Sequence, residues 1–161
     1  MNKISETRLG GIALATGTLL FLITIFFEYR IGWISTTGGI PQDPLGFISD
    51  NWSQLSDIWF WQMLSGVLTL LAYFLFFKRS TGFKSAVWAL LIIGGIMTTA
   101  AFLLTLGSYG PAVQAYETSP ELFQTTRGGI RSLYDNIMVG PFLFIFLFCL
   151  DTFGKDGLVN R

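Results

Sequence analysis

Four long apolar blocks, nearly free of charged residues, occupy residues 9–27, 58–77, 86–106 and 133–153. Each is close to the ~20 residues that a helix needs to cross a hydrocarbon core of ~30 Å. The strict alternation of a membrane β-barrel is missing from these blocks, so helices must satisfy the backbone in lipid. The pattern predicts an all-α integral membrane protein, a four-transmembrane-helix bundle that forms one membrane domain over residues 1–161.

The composition agrees with a lipid environment. Of the 161 residues, 52% are hydrophobic and 12% are charged, and this charged fraction is about half that of a typical soluble domain. The first block follows Lys3 and Arg8, so a secretory signal peptide is an alternative. Its cleavage-like site, Ala13-Leu14-Ala15, lies at the start of the apolar stretch rather than after it, which favours a retained transmembrane helix.

Lysine and arginine are unequally distributed between the two sides of the predicted bundle. One side carries Lys3, Arg8, Lys78, Arg79, Lys84, Lys155 and Arg161, and the other side carries Arg30, Arg127 and Arg131. Because basic residues flank membrane spans on the cytoplasmic side, we expect a multi-pass protein of the cell membrane with both termini in the cytoplasm. The two long connections, 28–57 and 107–132, then face outward.

Both outer connections contain signals for short interfacial helices. In the first, Asp43 can cap a helix that starts at Pro44. Leu45, Ile48, Trp52 and Leu55 would share its apolar face, so the helix would lie on the outer leaflet or close over the bundle. In the second, Tyr109-Gly110-Pro111 predicts a break, Ser119-Pro120 a new helix start, and Gly128-Gly129 a looser segment before the fourth span.

Side-chain type also indicates packing and depth. The pairs Ala13 and Gly17, and Gly95 and Thr99, have the spacing that lets membrane helices approach closely. Trp33, Trp59 and Trp61 flank the first two spans. Since indole rings prefer the headgroup level, these tryptophans are expected to mark the outer boundary of the bilayer rather than a ligand site.

A polar layer is predicted near the outer edge of the hydrocarbon. At ~1.5 Å per residue, Gln62 and Asp135 both lie ~24 Å from the inner flank, and Glu28 ~30 Å from it. Pro141 should bend the fourth helix one turn from this layer. The layer also contains the candidate ligand-binding residues Arg30, Tyr109, Arg131, Tyr134 and Asn136.

Two interpretations of this layer remain open. In the first, Glu28 and Asp135 pair with Arg30 and Arg131 and stabilise the rim of the bundle. In the second, the same residues line an outward-facing vestibule, where the ligand would be amphipathic, such as a lipid, an isoprenoid or a quinone head group.

The residue inventory excludes several classes of function. The chain has no histidine and one cysteine, Cys149, so histidine-dependent nucleophilic catalysis, histidine-ligated metals and intrachain disulfides are excluded. A net charge of zero gives no basic footprint for nucleic acid. We therefore expect neither a metal nor another cofactor.

Two classes of function fit what is left. The first is non-catalytic: an accessory subunit of a larger membrane complex or homo-oligomer, or a binder of a lipid-like molecule at the outer-leaflet side. The second is a membrane enzyme in which Asp135 and Glu28 act as general acid and base in the isomerisation or cyclisation of an isoprenoid or similar substrate. A transporter is less favoured, because no span carries a charge near its midpoint.

Overall fold

The computed structural model describes residues 6–34, 41 and 43–137, and this part of the chain is helical without strands. Its helices are α1 (Glu6–Arg30), α2 (Pro44–Asp50), α3 (Trp52–Phe77), α4 (Phe83–Gln114) and α5 (Pro120–Ile137). Three of them, α1, α3 and α4, are long and apolar enough to cross a membrane. The chain is therefore a membrane protein, and the first three predicted spans coincide with helices. Most of the fourth predicted span lies outside the described residues.

The interface between α1 and α3 is built on small residues. A Cβ at Gly17 would lie 2.7 Å from Thr69 Oγ1 and 3.0 Å from the carbonyl oxygen of Ser65, and Ala13, one turn earlier, is also buried. Backbones can approach this closely only where side chains are minimal, and in lipid such packing replaces the hydrophobic effect as a source of helix association. This confirms the prediction that Ala13 and Gly17 let two helices approach each other closely.

The interface between α3 and α4 follows the same rule. A Cβ at Gly95 would meet Leu70 Cδ1 at 3.0 Å, and one at Gly66 would lie 3.4 Å from Thr99 Oγ1, which confirms the predicted close approach at Gly95 and Thr99. Helix α3 thus packs against both α1 and α4, whereas α1 and α4 make at most marginal contact with each other. The three long helices form an open arrangement with α3 in the middle.

The C-terminal end of α3 is joined to α4 by a short connection. Gly82 adopts φ +58° immediately before α4 begins, a backbone conformation that glycine reaches without strain. Glu6 on the first turn of α1 forms ion pairs with Lys78 Nζ at 2.8 Å and Arg79 Nε at 3.0 Å. The predicted basic turn therefore lies beside the start of α1.

The predicted helix after Asp43 is confirmed. The Asp43 side chain accepts a hydrogen bond from the Gly46 backbone N–H at 3.1 Å, and Pro44 occupies the first turn of α2. The helix ends at Asp50, so Trp52 and Leu55 belong to α3 rather than to the same helix as Ile48. Ile48 and Leu55 are nevertheless both buried in one cluster, and α2 packs against α3 and α4.

The predicted break at Tyr109-Gly110-Pro111 is wrong. Helix α4 continues through Pro111 to Gln114, and the N–H of Ala115 donates to the Pro111 carbonyl at 3.1 Å. A proline removes one helical hydrogen bond, but the adjacent Tyr109 and Ala112 are buried, and their packing offsets that loss. The predicted start at Pro120 is confirmed, and α5 runs without interruption through Gly128-Gly129.

A cluster rich in aromatic residues lies where α2, the N-terminal end of α3, the C-terminal end of α4 and α5 meet. Its buried members are Ile48, Leu55, Ile58, Trp59, Tyr109, Ala112, Phe123 and Ile130. Phe123 is fully buried, with its ring 5.4 Å from that of Tyr109 and 5.6 Å from that of Tyr116. These edge-to-face contacts hold α5 against the C-terminal end of α4 and the connection that follows it.

Candidate ligand-binding site

Glu28 lies on the last turn of α1 and is 5% exposed. Its Oε1 accepts a hydrogen bond of 2.8 Å from the indole Nε1–H of Trp59 on α3, and the Gln62 side chain, also buried, is a second hydrogen-bond partner of the carboxyl group. Trp59 and Gln62 are three residues apart and share one face of α3. The carboxyl group is therefore enclosed and hydrogen-bonded rather than open to solvent.

The pairing of Glu28 with Arg30, one of the two sequence interpretations, does not occur. Arg30 is exposed, and within the described part of the chain Glu28 forms no ion pair with it. Glu28 and Arg30 are two residues apart, which puts them ~200° apart around the helix. Because Glu28 faces α3, Arg30 points away from α3. Glu28 and Gln62, in contrast, do lie together, as expected for one polar layer.

Trp59, predicted to mark the bilayer boundary rather than a ligand site, packs among other side chains, and its depth in the bilayer stays a prediction. The residue is 6% exposed, and its ring lies 5.9 Å from that of Tyr109 and 5.9 Å from that of Trp33. Trp59 therefore connects the predicted site residues Glu28 and Tyr109 through one indole. The spacing of Trp59 and Gln62 on α3 is the sequence signal that could have indicated this role.

The remaining predicted residues lie on α5 or beyond it. Arg131 lies on α5 and is exposed. Tyr134, Asp135 and Asn136 are part of the α5 backbone, but their side chains lie outside what the structure describes, as does Pro141. The predicted roles of these residues stay predictions.

An apolar groove of about 220 Å³ lies between α1 and α3, in the half of their interface that contains the C-terminal half of α1. Its lining residues are Leu20, Ile23, Thr24, Phe27, Ile58 and Trp61. Thr24 donates its hydroxyl to the Phe21 carbonyl at 2.6 Å, so it adds little polarity to the lining. Trp61 is 49% exposed, and its position at the bilayer boundary stays a prediction.

No family model, curated protein or solved structure matches this chain. Among the described residues, no group of histidine, cysteine or acidic side chains is arranged to bind a metal ion. The site therefore offers a ligand an apolar groove, while the Glu28 carboxyl group is buried between α1 and α3.

Proposed function

We propose that this membrane protein is a non-catalytic binder of a lipid-like molecule at its outer-leaflet side. The apolar groove between α1 and α3 carries the proposal. Four of its six lining residues, Leu20, Ile23, Phe27 and Ile58, are aliphatic or phenyl side chains, and Trp61 stands on the α3 side. A lining of this kind fits an alkyl or isoprenoid tail.

The surroundings of Glu28 support a non-catalytic function. An acid or base must reach the substrate atom that gives or takes the proton, within about 3 Å. The Glu28 carboxyl group instead contacts Trp59 and Gln62, and Glu28 is absent from the groove lining. A satisfied, buried polar group of this kind stabilises and specifies a helix interface.

The groove can be tested by filling it. Ile23→Trp places an indole in the groove, whereas Leu19→Trp on the same helix adds the same volume at an exposed position outside the lining. Mass spectrometry of protein purified in mild detergent should show co-purifying lipid with the native chain and Leu19→Trp, and its loss with Ile23→Trp. Equal lipid retention in all three proteins would contradict the proposal, and a stoichiometric protein partner would favour an accessory subunit instead.

The enzyme alternative is tested separately. Glu28→Gln keeps an oxygen acceptor for Trp59 but removes the acidic proton. If isoprenoid turnover is found in the native protein and is lost in folded Glu28→Gln, the protein is an enzyme and the non-catalytic proposal fails.

We also propose that residues 138–153 form the fourth span and complete the bundle. Supporting this, α4 carries a face of small or β-branched residues, with Ala101, Thr105 and Ala112 buried. Helix α5 packs against α4, and the same face continues inward through Thr98 and Gly94 on the 3.6-residue period.

We further propose insertion in the cell membrane with both termini in the cytoplasm, following the excess of basic residues around Lys78, Arg79 and Lys84. Single cysteines at Asp50 and Ser80, in a chain whose Cys149 is replaced by serine, test the orientation. A membrane-impermeant maleimide should label Asp50→Cys in intact cells and Ser80→Cys only after permeabilisation. The reverse pattern would contradict the proposed orientation.

A further inference from the structure

Helices α1 and α3 face each other in antiparallel directions. A Cβ at Gly17 would meet Thr69, whereas Glu28, later on α1, contacts Trp59, earlier on α3. On two antiparallel helices that face each other, the residue before an interface residue is turned by ~100°, and this turn goes to the same side of the pair on both helices. Residues that directly precede interface residues on α1 and on α3 therefore share one flank of the interface.

The groove lies on this flank. Three of its lining residues each directly precede a member of the buried hydrogen-bonded group, namely Phe27 before Glu28, Ile58 before Trp59 and Trp61 before Gln62. The same rotation of the two helices that brings the carboxyl group to the indole and the amide therefore brings these three apolar side chains together beside it. The hydrogen bonds and the groove are two results of one helix arrangement.

The indole of Trp59 is the fixed member of the hydrogen-bonded group. Its ring lies 6.2 Å from that of Trp52 and 5.9 Å from that of Tyr109, so it is held among side chains of α3 and α4. A hydrogen bond requires a short distance and a nearly linear angle. Turning α1 by one residue would take Glu28 away from the indole and move Phe27 into the interface. The close contact at Gly17 brings the two backbones together but has no side chain on α1 to fix this rotation.

We propose that Glu28 is a positioning residue of the lipid-binding groove, which fixes the rotation of α1 against α3 and does not contact the ligand. This inference rests on the proposed lipid-binding function and adds how the groove is held in its binding form. Without the hydrogen bonds, α1 samples other rotations, and the lipid affinity falls with the fraction of molecules that keep the binding form. At the usual net strength of a buried hydrogen bond, this loss is about five- to tenfold.

Lipid binding by variants of the hydrogen-bonded pair tests the inference. Glu28→Met removes the acceptor at similar side-chain length, Trp59→Phe removes the donor, and Glu28→Gln keeps an oxygen acceptor for the indole. The full chain in mild detergent is titrated with phosphatidylcholine, and bound lipid is measured by native mass spectrometry. The affinity should fall by about five- to tenfold in Glu28→Met and in Trp59→Phe, and Glu28→Gln should restore it to near the native value. Native affinity in Glu28→Met, or an equal loss in Glu28→Gln, would overturn the positioning role.

Gly17→Ala is the control for stability. This position belongs to the same interface but lies outside the groove lining and away from the hydrogen bonds. The variant should weaken the interface towards unfolding and leave the lipid affinity near the native value. If Gly17→Ala loses as much affinity as Glu28→Met, lipid binding follows the stability of the interface, and the positioning role is overturned.

Filling the groove separates this inference from the proposed function. Loss of lipid in Ile23→Trp, together with native affinity in Glu28→Met, would overturn the positioning role but support lipid binding in the groove. Lipid retention in Ile23→Trp at the level of Leu19→Trp would overturn both.

Discussion

Replacing Trp59 by phenylalanine removes the indole donor to Glu28 while keeping an aromatic ring in the cluster. The lost contact is a 2.8 Å hydrogen bond between two buried side chains. Removing one partner of such a bond leaves the other unsatisfied and costs about 1–3 kcal/mol. The smaller ring also fills less of the space beside Trp33 and Tyr109, so we expect a total loss of about 2–4 kcal/mol in the free energy of unfolding.

A double-mutant cycle isolates the hydrogen bond from the change in ring size. Unfolding is measured by circular dichroism in a mild detergent titrated with SDS, for the native chain, Trp59→Phe, Glu28→Met and the double variant. The coupling free energy between positions 28 and 59 should be about 1–3 kcal/mol.

Trp61→Phe is the matched control, because its indole is two residues away on the same helix and half exposed. We expect a change within about 0.5 kcal/mol for this variant. A coupling free energy near zero in the cycle, or an equal loss in Trp61→Phe, would show that the contact between Glu28 and Trp59 does not stabilise the α1–α3 interface.

Three further predictions concern other parts of the structure and use the same unfolding assay. Gly17→Ala should destabilise by about 1–3 kcal/mol through overpacking against α3, although alanine favours helix formation. Asp43→Ala should cost about 1 kcal/mol, because the first turn of α2 loses its cap. Phe123→Ala should cost about 3–5 kcal/mol, since this ring is fully buried between α4 and α5.

Each of these variants has a nearby control. Gly11→Ala should be neutral or stabilising, because a Cβ there meets nothing within 4 Å, and destabilisation equal to that of Gly17→Ala would contradict the packing argument. Asp50→Ala removes a carboxylate from the other end of α2 and should be tolerated better than Asp43→Ala. Leu122→Ala, next to Phe123 but 52% exposed, should change stability by less than about 0.5 kcal/mol.

Helices could be predicted where a short stretch of sequence determines the backbone conformation by itself. Long apolar blocks predicted α1, α3 and α4, and the combination of Asp43 with Pro44 predicted the start of α2, because capping and the fixed φ of proline act within one turn. Tyr109-Gly110-Pro111 was misleading since its outcome depends on contacts with other helices. Burial of Tyr109 against Trp52 and Trp59 is not visible in the local sequence.

The sequence predicted how far along their helices the candidate-site residues lie, but it did not predict which side chains contact one another. Counting residues from the inner flank placed Glu28 and Gln62 in one layer, and the structure brings them together. The same count cannot tell which way a side chain points, so it left open a pairing of Glu28 with Arg30 that the helix geometry rules out. The groove depends on the relative rotation of α1 and α3, and no single segment carries that information.

The contact between Glu28 and Trp59 also has a consequence for how the protein is made. The two residues are 31 positions apart in the chain, so the Glu28 carboxyl group gains its indole partner only when the second long helix packs against the first. Because a carboxyl group without a hydrogen-bond partner is costly in an apolar environment, we expect the burial of Glu28 and the association of α1 with α3 to occur in one step.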